Sequence, residues 1–104
     1  MSIDEKRLRD DFKALLRGEP PSPKELANAP LIEDWSPAIT GAPNGRQMTL
    51  VGVVSGHPTL TDERRIETSP VVWIDRHRRW ARTMSRFYLL GKQAGSGGGR
   101  AEKT

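Results

Sequence analysis

Between positions 76 and 86 the chain places five arginines, Arg76, Arg78, Arg79, Arg82 and Arg86, beside two large apolar side chains, Trp80 and Met84, with no acid in the interval. Guanidinium groups neutralise phosphates and an indole between them can stack a base, so this spacing suits a polyanion-binding surface, nucleic acid first. Trp and Arg are also the common anchors of protein interfaces, which makes an acidic protein surface the second kind of partner. The bland counterpart is a solvated basic face.

Catalytic chemistry finds less support. Ser69 or Ser55, His57 and Asp75 are the residue types of a nucleophile, a base and an orienting acid, yet no Gly-x-Ser-x-Gly elbow surrounds either serine. Asp75-x-His77 offers two metal-ligand types on one turn, with Arg76, Arg78 and Arg79 beside them to repel a cation. In Gly56-His57-Pro58 the imidazole reads as a turn residue that bonds local backbone. With two histidines and no cysteine, neither a thiolate site nor a disulfide is available. The expectation is a non-enzymatic binding protein without metal or cofactor.

Charge is uneven along the 104 residues: positions 1–35 carry six basic and eight acidic side chains, positions 36–104 eleven and five. A positive second half attracts polyanions through a field that salt screens. The 35% hydrophobic content suffices for one modest core, expected over residues 1–92, with the Gly-rich residues 93–104 as a flexible tail. That tail is not a phosphate-binding loop, since no Lys-Ser or Lys-Thr pair follows at the required spacing. Apolar runs are too short to span a bilayer and the first residues are charged, so no membrane role and a cytoplasmic location are expected.

The elements that must position these residues begin with a helix over 3–17. Ser2 and Glu5 have capping-box spacing, Leu8, Phe12, Leu15 and Leu16 form a stripe, and Gly18 offers the stop. Ser22-Pro23 with Glu25 starts a short second helix that Pro30 limits to about 23–29. Strands follow: 31–36, interrupted by Pro37 and suited to an edge; 47–55, central; and 66–75, whose pairing Thr68-Ser69-Pro70 interrupts. Pro43-Asn44-Gly45 is a turn.

Residues 80–90 fit a helix, through Trp73, His77, Trp80, Met84, Phe87 and Tyr88, or a strand entered by a hairpin. The hairpin is preferred, because a helix would set Arg76, Arg78 and Arg79 against its positive end. As a strand, Trp80, Arg82, Met84, Arg86 and Tyr88 share a face. That face either meets a polyanion or packs under the first helix, its arginines pairing Asp10 and Asp11. Trp73 and Phe87 are expected in the core. The fold class is α+β: an N-terminal helix, a short second helix and a twisted antiparallel sheet of three or four strands, which by curling into a small barrel would close its second face.

Gly56-His57-Pro58, Ile66-x-Thr68-Ser69-Pro70 and Trp80-Ala81-Arg82-Thr83-x-Ser85-Arg86-x-Tyr88-x-Leu90-Gly91 together resemble a family of small bacterial proteins classed as a domain of unknown function. The likeness runs over residues 52–91 and is most specific in its closing phrase. It implies a hairpin loop before Trp80, and brings no activity, cofactor or catalytic residue.

Overall fold

The computed structural model describes residues 3–42 and 45–95. Ser2 of the first capping box, Pro43 and Asn44 of the expected turn, and positions 96–104 of the tail lie outside them.

Helix α1 (Ile3–Leu16) turns Leu8 and Leu15 toward the sheet and ends where Gly18 adopts φ 83°, with the Glu19 amide bonding back to the Ala14 carbonyl. Helix α2 (Pro23–Ala27) is held by the expected box: the Glu25 amide donates to Ser22 Oγ and the Ser22 amide to Glu25 Oε1, both at 3.1 Å.

Six strands follow, β1 (Leu31–Ala42), β2 (Gly45–Ser55), β3 (Arg64–Glu67), β4 (Val71–Ile74), β5 (Trp80–Thr83) and β6 (Phe87–Leu90), in the order β3-β2-β1-β6-β5-β4. They form two antiparallel meanders joined by a short parallel pairing of Leu31 with Leu89 and Ile32 with Leu90. The expected three or four strands become six because two stretches break. Residues 68–70 divide one, and a tight reversal over 84–86 divides the other, where Thr83 Oγ1 accepts from the Ser85 and Arg86 amides and donates to the Arg86 carbonyl.

Connectivity forces the sheet to curl. Strands β3 and β4 occupy opposite edges, about 24 Å apart in a flat six-stranded sheet, yet four residue steps can reach only about 14 Å. The connection is tied to both meanders: Thr68 exchanges bonds with Leu50, and the Met84 amide donates to the Pro70 carbonyl. The edges approach without pairing, so the sheet stays open and the expected barrel does not form.

Strand β1 is interior rather than an edge. Its first residues lie between β2 and β6, and it continues through Pro37, which faces Leu50. The Leu50 amide and carbonyl both point to Thr68, so Pro37 sits in a non-hydrogen-bonded pair and its missing N–H removes no bond to β2.

A bulge between Glu33 and Ser36, with Asp34 at φ 54°, rotates Trp35 inward to 2% exposure, where its indole N–H donates to the Gly91 carbonyl at 3.0 Å. Trp35, Ile32, Leu50, Val54, Ala81, Tyr88 and Leu90 form the core inside the curl. Trp73 and Phe87, expected there, lie half-buried on the outer face: a register shift between Val71 and Trp73 turns Trp73 out against Phe12 of α1, and the reversal over 84–86 turns Phe87 out and Tyr88 inward.

The bulge fits only against a residue without a side chain. A Cβ on Gly52 would stand 2.8 Å from the Glu33 carbonyl oxygen, a backbone atom that cannot swing away. Gly52→Ala is expected to destabilise by about 1 to 3 kcal/mol in urea unfolding, whereas Gly41→Ala, with open space around it, stays within about 0.5 kcal/mol. Equal stabilities for the two variants would refute the steric account.

Candidate functional site

The hairpin of β4 and β5 is present, and the arginines divide between the two ends of β5, about 13 Å apart along the strand. At one end, residues 75–79 form the turn. The Arg78 amide donates to the Asp75 carbonyl at 2.8 Å and the Asp75 amide to the Trp80 carbonyl at 3.0 Å. Asp75 Oδ2 accepts from the amide and from Nε of Arg79. Arg76 is exposed and has no ion pair among the described residues, while Arg78 reaches only the neutral Gln93 side chain, at 3.4 Å. Arg78 adopts φ 57°, a left-handed conformation that Gly or Asn takes with less strain.

At the other end Arg82 points into the interior, 1% exposed, beneath α1. Its Nε–H donates to Asp11 Oδ2 at 2.9 Å, its Nη1–H to the Thr83 carbonyl at 2.7 Å, and its guanidinium carbon lies 5.3 Å from the Phe87 ring centroid. Burial is the larger influence on both partners, pushing the Asp11 carboxyl up and the Arg82 guanidinium down against their mutual attraction. Trp80, 5% exposed, packs edge-on to Phe87 at 5.8 Å and offers no open face to a base. Above Arg82 a cleft of about 320 Å³ opens, walled by Arg7 of α1, Glu25 and Asn28 at α2, and Ser85 and Arg86 of the β5–β6 turn.

The predicted set therefore forms two groups, Arg76, Arg78 and Arg79 outside, Arg82 and Arg86 at the cleft, with Trp80 in the packing between helix and sheet. Asp11, weighed in the sequence as a partner for these arginines, takes Arg82, and Asp10 pairs with Lys6 instead. Sequence reasoning missed Arg7, Glu25, Asn28 and Ser85, which meet only through the tertiary path of the two helices. His57 is a turn residue, its Nδ1 accepting from the Thr59 and Leu60 amides, and burial lowers its pKa. Among the described residues no hydrogen bond joins it to Ser55, Ser69 or Asp75, and no three metal-ligating side chains gather.

The fold and its arginine groups define an α+β protein with two helices packed on an open, curled, six-stranded sheet. The chain belongs to a family of unknown function, DUF6634, which it matches over residues 2–99. No curated protein and no solved structure matches it. No helix among the described residues is long and apolar enough to cross a membrane.

Two outcomes follow from these ion pairs. The hydrogen bond from the Arg79 side chain, then that from its amide, hold the Asp75 carboxyl below its ordinary 3.8. A depressed folded value means that Asp75 stabilises fully above pH 3.8 and loses this contribution as pH falls through the lower folded value. Denaturation curves of Asp75→Asn and the parent should differ at neutral pH and converge in strong acid; a constant gap would refute the assignment.

Asp11→Ala strands the Arg82 cation and should cost about 2 to 4 kcal/mol, while the double variant Asp11→Leu, Arg82→Met recovers most of the loss. Equal losses for the single and double variants in chemical denaturation would show that the pair is not what holds the helix.

Proposed function

We propose that this chain is a non-enzymatic binding protein whose ligand is a polyanion, met weakly and without sequence preference by the β4–β5 turn. The observation that carries the reading is Arg78 held left-handed between exposed Arg76 and Arg79, where a smaller residue would relieve the backbone. The turn thus presents three guanidinium groups to solvent, and Asp75 is its single acid. With Trp80 packed inside, affinity comes from phosphate contacts alone, without base stacking.

Three phosphate contacts imply a slope of about −2.7 for log K against log salt on duplex DNA, a loss of about 40-fold between about 50 and 200 mM. Fluorescence anisotropy with labelled single- and double-stranded oligonucleotides should show this slope, reduced by about two in the Arg76→Ala, Arg78→Ala variant. No binding at micromolar protein and low salt would end the reading.

A second reading, a protein-interaction module acting as adaptor or inhibitor, is favoured by the outer edge of β4. There Leu8, Phe12, Val72 and Met84 line an apolar cleft of about 480 Å³, and Phe12 and Met84 are exposed. A stoichiometric protein partner that survives nuclease treatment in pull-down, and is lost in Met84→Asp, would favour it over the first.

A further inference from the structure

We propose that the cleft between the end of α1 and the β4–β5 turn docks an acidic peptide, with one apolar side chain held in the cleft and the neighbouring carboxylates on Arg76 and Arg78. The inference goes beyond the polyanion reading, which needs only the turn, and does not depend on it.

The cleft exists because α1 stops short of the turn. Gly18, at φ 83°, takes the chain out of the helix, and Glu19 and Pro20 then form an exposed wall opposite Trp73 and Ile74 of β4, which are half-buried. Leu15 and Trp80, both 5% exposed, close the floor. Phe12 meets the Trp73 ring edge-on at 6.2 Å and holds it in place along the wall. The space is about 360 Å³. That is the lower end of the range for ligand sites and suits one inserted side chain rather than a folded surface.

Charge selects the occupant. Three charged residues line the cleft: Glu19 accepts from Arg17 at both carboxylate oxygens, Asp75 accepts from Arg79, and Arg76 has no ion pair among the described residues. Arg78, two positions along the turn, reaches only the neutral Gln93 side chain. An apolar cleft bordered by two uncompensated cations fits an apolar group with acids beside it. Nucleic acid matches this less well, because its phosphates recur at every nucleotide and those nearest the cleft would face Glu19 and Asp75. A peptide can set an uncharged side chain against these two carboxylates and bring its acids over the turn within a residue or two, each extended residue advancing about 3.3 Å.

The test is an NMR titration of the full-length chain with the peptide Glu-Glu-Phe-Glu-Glu, compared with Glu-Glu-Ser-Glu-Glu and with a short oligothymidylate. The Phe peptide should produce saturable shifts at the Trp73 indole N–H and at the amides of Gly18, Glu19, Ile74 and Arg76, and bind about tenfold or more tightly than the Ser peptide. The double variant Arg76→Ala, Arg78→Ala should weaken both peptides by a similar factor and leave their ratio unchanged, since the acids and the anchor act at different places. Trp73→Leu removes the ring but keeps an apolar side chain against Phe12, and should shrink the ratio without altering the affinity for the Ser peptide. Equal affinities for the two peptides, shifts confined to residues 76–79, no saturable shifts up to roughly 5 mM peptide, or an unchanged ratio in a folded Trp73→Leu variant would each overturn the proposal. Oligothymidylate binding without peptide binding would overturn it and leave the polyanion reading standing, whereas peptide binding without oligothymidylate binding would support it and count against nucleic acid at the turn.

Discussion

A guanidinium in the interior must find acceptors there, and Arg82 finds them in Asp11 of α1 and in the Thr83 carbonyl beside it. This requirement fixes how the helical layer meets the sheet. Helix α1 contributes a narrow apolar grip: Leu15 is buried, Phe12 is covered over about two thirds of its surface, and Leu16 remains largely exposed. Apolar contact alone would let such a helix slide or roll, since burial is non-directional. A directed bond from a strand residue to one carboxylate sets its register, and with it the edge contact of Phe12 on Trp73 and the cleft that Arg7 shares with Arg86.

How far the sequence could be read follows from the range of the forces involved. Both helices, the capping box at Ser22, the hairpin before Trp80 and the turn role of His57 are local, set by neighbours within a few residues, and all were legible. The reversal over 84–86 was hidden because it uses no Gly, Pro or Asn. A buried threonine hydroxyl makes the turn instead, and composition gives no sign of that. Missing it exchanged the two faces after position 84, so Phe87 and Tyr88 were assigned to the wrong sides.

Pro37 misled for a different reason. A proline marks a strand as an edge only when its missing donor would have faced a neighbour, and the register with Leu50 turns that position away from β2. Of the candidate site, the arginine density was visible in the chain. Its division was not, because separating Arg79 from Arg82 depends on which face of β5 each side chain takes and on where α1 lands. Glu25 and Asn28 reach the cleft from α2, some sixty residues away in sequence, and nothing local marks them.

The parallel pairing of β1 with β6 has a bearing on how the protein is made. Trp35 waits for the Gly91 carbonyl and for bonds with Lys92 and Ala94, so the opening strand obtains its last neighbours only after residues 91–94 have been synthesised. A ribosome releasing residues from the N-terminus exposes both helices and the first meander before β6 clears the exit tunnel. Until then that indole lacks its native acceptor and the interior stands open on one side.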